Sequence, residues 1–365
     1  MTTPLRIGVD ARELLGAPTG VGRYLGELLL RWTSRPDHRR RMFWLYSPEA
    51  LPLIFPRETT QARIIGQGRG TWWEQTHLRK AVAQDRPDVF FAPAYTAPIG
   101  TDVPLAVTIH DISFVAHPEW FRAGEGLRRR WLTRRAAARA RVIFTDSEFS
   151  RQELQTHLRA DPSRIQVIPP GVTPRTAPGG GRTTREPMVL FVGSLFNRRR
   201  LPDLIAAFAR VATELPDSRL VIVGDDRTWP RQDLPAIAER HGVAARTQFL
   251  SYVSDAHLSE LYARASVFAF LSEYEGFGLT PLEALAAGVP PVVVDTPVAR
   301  EVYRDAAVFV AAGDLDATAN ELRRLLIDPT AGRDVVSRAP ALLRQYSWDA
   351  AADRTLTGIE GIITR

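Results

Sequence analysis

Two glutamates with seven residues between them, Glu275 and Glu283, frame the stretch Glu-Gly-Phe-Gly-Leu-Thr-Pro-Leu-Glu. It follows the apolar run Val267–Leu271 and opens a helical pattern that Gly288 stops. Thr280 stands where an N-cap belongs, Pro281 at the first helical position and Glu283 three residues past the cap. A capping box would therefore account for Glu283 alone. It does not require Glu275, Gly276 or Gly278, which place a carboxylate and a loop without bulky side chains ahead of a helix N-terminus. Backbone N–H groups there point outward and the helix dipole favours an anion. A carboxylate turned to sugar hydroxyls, with amides turned to a phosphate, is the chemistry a sugar nucleotide needs.

Other reactive positions fall at similar junctions. Arg198 and Arg199 lie between the run Val189–Val192, which ends at Gly193, and a helical pattern starting near Pro202. Planar guanidinium forks in that position suit a diphosphate; the plainer reading is solvated loop arginines. Gly20 and Gly22 precede a helix whose inward face is Val21, Leu25, Leu28 and Leu29, a weak phosphate-loop signal alone. His110 and Asp111 follow the run Leu105–Ile109, where a histidine can position or catalyse, although a lone histidine is more often structural. Tyr95 also follows a strand-length run, Asp88–Phe91. Asp225-Asp226 follows the run Leu220–Val223 and could be mistaken for a metal pair; it is read as structural or near the base of the donor.

The elements that must position these groups alternate. Strand-length apolar runs occur at Leu5–Val9, Met42–Tyr46, Ala62–Ile65, Asp88–Phe91, Leu105–Ile109, Val142–Thr145 and Ile165–Ile168, with helical patterns between several of them. Residues 173–187, TPRTAPGGGRTTREP, have no periodicity and read as a linker. Beyond it the alternation restarts at Val189–Val192, Leu220–Val223, Thr247–Leu250, Val267–Leu271, Val292–Val294 and Val308–Val310. The expected fold class is α/β: two doubly wound parallel-sheet domains, 1–172 and 188–345, with ligands at the C-terminal strand ends facing a cleft. Residues 346–365, from Tyr346-Ser-Trp348 onward, resemble the helix that crosses back to the first domain in two-domain folds of this kind.

Composition narrows the classes. The chain has 365 residues, 45% hydrophobic and 24% charged, which suits two globular domains. No cysteine is present, so disulfides, thiolate metal sites and a cysteine nucleophile are excluded. The formal charge is +6 and Lys80 is the sole lysine. Acids are plentiful and no RNA-binding signature appears, so nucleic acid is not an expected partner. No signal peptide or membrane-spanning run is seen, and a cytoplasmic location is expected. The segment 127–141, LRRRWLTRRAAARAR, admits two readings: a helix lying on anionic lipid, or a surface helix with Trp131 and Leu132 packed inward.

The ordered set of motifs resembles glycosyltransferase family 4 (group 1). The core SEYEGFGLTPLEALAAGVPPVVV is similar to that family's signature. Thr19–Tyr24 resembles its N-terminal Gly-rich loop, Thr108–Ser113 its His-Asp loop, and Val192–Arg200 the phosphate-binding turn of the second domain. Asp146–Arg151 and Ile168–Val172 match segments leading to the crossover. The likeness implies a GT-B fold of two Rossmann-like domains and a retaining transfer, without cofactor or metal, from a GDP-, UDP- or ADP-sugar. Bacterial mannosyltransferase-like members are the branch most resembled, which implies mannose and a glycan or lipid-linked acceptor. The resemblance implies that Glu283 holds ribose hydroxyls and Glu275 the transferred sugar. It further implies that Gly193 and the amides of Gly276, Phe277, Gly278, Leu279 and Thr280 meet the donor, with Arg198 and Arg199 on its diphosphate. The family usually has Arg-Lys there, so Arg199 departs from the pattern. Gly20 and Gly22 would form the opposite wall, His110 would act catalytically, and Arg23, Tyr24, Tyr95 and Asp111 would face the acceptor. Rival classes are a sugar-nucleotide epimerase or phosphorolytic enzyme on the same frame, and a non-catalytic nucleotide-sugar-binding subunit.

Overall fold

Every strand expected from the apolar runs forms in the computed structural model, which describes residues 4–16, 20–37, 40–52, 55–174 and 185–363. Thr19 and most of the expected linker, 175–184, lie outside these residues. The chain folds as two units. The first takes residues from 1–118, 123–171 and 347–365; the second takes 119–122 and 172–346.

The first unit carries β1 (Leu5–Asp10), β2 (Arg41–Ser47), β3 (Thr60–Ile64), β4 (Val89–Ala92), β5 (Leu105–Thr108), β6 (Val142–Thr145) and β7 (Ile165–Val167). They form one parallel sheet in the order β3-β2-β1-β4-β5-β6-β7. Strands covered on both faces need apolar residues throughout, which is why β4, β5 and β6 are buried end to end. The helix Gly20–Thr33 lays Leu25, Leu28, Leu29 and Trp32 into the core, beside Ile7, Val9, Phe43 and Phe91. Such fully buried side chains each contribute roughly 1.5–3 kcal/mol. The C-terminal helix Trp348–Gly361 packs on the same core through Leu356 and Ile359, and Trp32 Nε1 donates to the Ala352 carbonyl at 2.8 Å.

The second unit carries β8 (Glu186–Val192), β9 (Arg219–Val223), β10 (Thr247–Leu250), β11 (Ala265–Phe270), β12 (Pro291–Val294) and β13 (Val308–Val310). Its parallel order is β10-β9-β8-β11-β12-β13. In each sheet the strand order reverses beside the first strand, between β1 and β4 and between β8 and β11. The crevice beyond the C-terminal ends of such a pair is where open parallel sheets bind ligands. The helix Leu201–Glu214 buries Leu204, Ile205, Phe208 and Val211 on this sheet. Gly224 (φ +152°) follows β9, and a Cβ there would lie 2.0 Å from the Gly193 carbonyl oxygen, so the two strand-end loops touch backbone to backbone.

Candidate active site

In the second unit, the loops after β8 and β11 bring Gly193, Arg198, Arg199 and Glu275 together. Arg199 Nε donates to Glu275 Oε1 at 3.0 Å and its Nη1 to the Ser194 carbonyl at 2.7 Å. Among the described residues its Nη2 has no partner, so one arm of the fork is uncommitted. Ser272 Oγ donates to the same glutamate oxygen at 2.8 Å. Arg198 is buried: its Nε donates to the Tyr274 carbonyl at 3.0 Å and stands 4.0 Å from Glu275 Oε1. The guanidinium of Arg198 lies over Phe196 and that of Arg199 over Phe270, rings that fix where the charges can go. Gly193 is glycine for a steric reason, since a Cβ there would meet Arg199 Nη1 at 2.2 Å.

The helix that follows is Leu279–Ala286, and its start corrects the expected cap. The N-cap is Gly278, in the left-handed region at φ +90°, with no side chain bonding the first turn. Thr280 and Pro281 therefore sit inside the helix, two residues later than a capping box requires. The competing explanation of Glu283 falls with it. Glu283 is buried, and Tyr262 Oη donates to its Oε2 at 3.3 Å. Tyr303 Oη donates to the Gly278 carbonyl at 2.9 Å and occupies the space a Cβ of residue 278 would need. Burial, with the Glu275 charge near it, holds the Tyr303 hydroxyl well above the ordinary phenol range. Phe277 turns its ring inward against Tyr346, so it offers a ligand only its amide. Gly288 ends the helix as expected, through Val289 N–H to the Ala284 carbonyl and Gly288 N–H to that of Leu285. Asp226 caps its own turn by accepting from Thr228, in keeping with a structural loop.

In the first unit, His110 follows β5 with both ring nitrogens engaged. Nδ1 lies 2.8 Å from Asp146 Oδ2 and Nε2 lies 3.0 Å from the Pro93 carbonyl oxygen. A carbonyl only accepts, so Nε2 carries a proton, and the carboxylate favours a second on Nδ1. Burial lowers the imidazole pKa, but Asp146 and the Pro93 bond raise it further, and the net shift is upward from 6.5. With both ring nitrogens engaged, the ring pins the ends of β4, β5 and β6. The raised value means that the stability from His110 is complete below pH 6.5 and is lost as pH rises through the folded-state pKa. An NMR titration of the ring is expected to show that upward shift in the native protein and its loss in Asp146→Asn; an unshifted native titration would contradict the pairing.

Tyr24, expected to face an acceptor, is buried beneath His110, its ring edge-on at 4.9 Å and its Oη 3.2 Å from Thr108 Oγ1. Gly20 and Gly22, expected ahead of the helix, lie within its first turn, and Gly22 is buried. Arg23 is half-buried on that turn. Asp111 Oδ1 accepts from Ser113 N and Oγ, starting the short helix Ser113–Ala116. Tyr95 Oη reaches Asp111 Oδ2 at 3.4 Å. Tyr95 adopts φ +54°, which costs a non-glycine residue roughly 1–2 kcal/mol. Strain of that kind persists at positions the surroundings over-determine, here between Thr108, His110 and Phe114.

Sequence reasoning missed a buried charge cluster at the β1/β4 reversal. Arg12 bridges Asp10, at 3.2 Å, and Glu74, which also accepts from Thr96 Oγ1 at 2.6 Å. Asp10 and Glu74 are 2% and 1% exposed. Burial pushes the Asp10 carboxyl up to about 7 despite Arg12. Its signal was an acid closing the first strand; nothing in spacing pointed to Glu74, 64 residues on. On the arginine-rich helix Ala123–Arg139, Leu132 packs inward while Trp131 is 51% and Leu127 64% exposed, so the expected inward packing holds for Leu132 alone.

Two family models match the chain, "Glycosyl transferases group 1" over residues 175–341 and "Glycosyltransferase Family 4" over residues 18–176. The O-antigen chain mannosyltransferase B of Escherichia coli is 28% identical over 368 residues, 93% of this chain and 95% of that protein. The D-inositol 3-phosphate glycosyltransferase of Mycobacterium avium is 33% identical over 59% of this chain, which spans about half of that relative's length (53%). The GDP-mannose:cellobiosyl-diphosphopolyprenol alpha-mannosyltransferase of Xanthomonas oryzae pv. oryzae is 30% identical over 69% of this chain and 66% of its own. Among solved structures, WaaG, a glycosyltransferase involved in lipopolysaccharide biosynthesis, superposes with TM-score 0.76 at 20% identity, covering 98% of this chain and all of that one (100%). HepE of Anabaena, solved with UDP and glucose, gives TM-score 0.73 at 20% identity over 98% of this chain and 100% of that one.

Proposed function

Since the chain belongs to the group 1 glycosyltransferases and has their GT-B fold, we propose that it transfers mannose from a nucleotide-sugar, with retention of configuration, to a glycan or lipid-linked acceptor. The observation that carries the reading is the meeting of Arg198, Arg199 and Glu275 with the Gly278-capped helix at the β8/β11 reversal. A nucleoside diphosphate leaves with full negative charge, and preorganised donors aimed at that charge are the largest lever available. The free Nη2 of Arg199 and the amides from Gly276 to Thr280 supply such donors. Glu275 holds the hexose hydroxyls and Glu283 the ribose. The acceptor oxygen bonds to the anomeric carbon from the face on which the carbon–oxygen bond to diphosphate breaks, and its proton passes to the departing phosphate oxygen. No enzymic nucleophile and no metal are required on this reading. Mannose is favoured by two relatives named as mannosyltransferases, one of them GDP-mannose-dependent.

A thermal-shift panel of GDP, UDP, ADP and their sugar conjugates tests the donor site. One nucleotide series is expected to raise Tm, by an amount set by its concentration over Kd, and Glu283→Ala to abolish the rise. A panel with no shift would remove the donor-site assignment.

The exposed pair Leu127 and Trp131, one helical turn apart among Arg128, Arg134 and Arg135, supports a cytoplasmic protein resting on anionic lipid. Among the described residues no helix is long and apolar enough to cross a membrane. Co-sedimentation with phosphatidylglycerol vesicles is expected for the native protein and not for Leu127→Ser with Trp131→Ser; equal sedimentation of both would reject this surface.

A further inference from the structure

The first unit contains a second concave site, at the opposite end of its sheet from His110. A cavity of about 630 Å³ opens where β6 and β7 begin, against the last two turns of the C-terminal helix. That volume is within the range of small-ligand sites. Arg139, Arg141, Arg164 and Arg354 line it.

The plain reading of these arginines is helix capping. Arg141 Nη1 donates to the Ile362 carbonyl at 2.8 Å, and Arg164 Nη1 to those of Ala138 and Ala140 at 3.2 Å. Arg139 is fully occupied by Thr101, Val103 and Pro98. Capping, however, uses one arm of a five-donor fork. Among the described residues, Arg141 has its single bond to Ile362, Arg354 has its single bond to the Val167 carbonyl, and neither meets a carboxylate. The acids nearby are already engaged: Asp353 pairs with Arg35, and Asp161 lies 3.5 Å from Arg164. Four lining arginines stand against one lining carboxylate, Asp353, and two helix C-termini each equivalent to about half a negative charge, which leaves the cavity positive by roughly two charges. Exposed guanidinium forks on a concave wall, whose one lining carboxylate, Asp353, is already paired with Arg35, are matched by tetrahedral oxyanions.

We propose that this cavity binds a phosphate-bearing anion, held by Arg141 and Arg354 and bridging the C-terminal helix to the start of β6. The site is independent of the donor site and takes either a free phosphorylated ligand or the phosphate of a lipid headgroup.

Inorganic pyrophosphate is the probe, titrated calorimetrically at constant ionic strength into protein carrying Arg199→Ala, so that binding at the donor site is weakened. Saturable binding is expected, reduced about tenfold or more by Arg141→Gln with Arg354→Gln. Gly361→Glu is the variant that keeps every arginine contact: nothing lies within 4 Å of a Cβ built at Gly361, and the new carboxylate stands at the cavity wall. It too is expected to weaken binding about tenfold. No saturable binding, or equal affinity in folded Gly361→Glu, overturns the proposal. Vesicles of phosphatidic acid in phosphatidylcholine separate the sources. Sedimentation lost in Gly361→Glu assigns the lipid phosphate, and sedimentation retained while pyrophosphate binding is lost assigns a soluble ligand.

Discussion

Arg199→Ala is expected to lower kcat by about 10²–10³-fold with a smaller change in KM, the cost of removing one preorganised donor from a developing oxyanion. Three features make this the most damaging single side-chain loss. The guanidinium is held by Glu275, Ser194 and the Phe270 ring, so it is positioned before any ligand arrives. One of its arms is uncommitted. Its removal also takes the nearer cation from Glu275, leaving the Ser272 hydroxyl at 2.8 Å and the Arg198 guanidinium at 4.0 Å. Arg199→Lys, the family's more usual type, is expected to recover most of the rate, because charge is restored even though the fork is not. Arg210→Ala, which breaks only an exposed pair with Asp316, serves as the control. Steady-state kinetics on the three variants decide the matter, and a kcat for Arg199→Ala within about threefold of native would remove the arginine from the chemistry.

Gly278→Ala is expected to damage both stability and activity. Residue 278 caps the helix at φ +90°, which costs an L side chain roughly 1–2 kcal/mol. The new methyl would also lie 2.1 Å from Tyr303 Oη, and Tyr303 is buried with its hydroxyl bonded to the Gly278 carbonyl. Either the tyrosine or the loop must move, and the loop carries the amides that meet the donor. A displacement of about 1 Å there is enough to cost about 10²-fold in rate. Thermal melts and kcat/KM of the single variants and of Gly278→Ala with Tyr303→Phe separate the two terms. Removing the hydroxyl should restore part of the stability, since the clash goes while the strained φ remains. A double variant no better than the sum of the singles would show that the tyrosine does not press on this position.

Much of the architecture was legible because both domains obey one local rule. Strands buried on both faces must be apolar along their whole length, and the central runs marked strands for that reason, while edge strands such as Thr60–Ile64 and Thr247–Leu250 were marked by shorter apolar runs. Glu275 and Glu283 were legible for a related reason: a glycine-rich link from strand to helix is short in sequence, so its reactive residues are neighbours in the chain. Boundaries were less so. Thr280 has the right chemistry for a cap, but Gly278 takes the position because it alone tolerates the left-handed backbone that Tyr303 presses against. Tyr24, in the glycine-rich stretch, is expected to face an acceptor, yet the helix begins at Gly20 and turns that ring into the core.

The sequence by itself determined the two alternating halves, the strand-end placement of Arg198, Arg199, His110 and Glu275, and the family signature, because each is set by periodicity or by residues adjacent in the chain. Only the tertiary structure decided that Arg12 joins Asp10 to Glu74, that His110 is locked between Asp146 and Pro93, and that Tyr303 supports Gly278. Those partners stand on different strands and helices. A parallel sheet brings together at one edge the ends of segments that its crossover helices keep far apart in sequence, and no local pattern records which of those ends will meet.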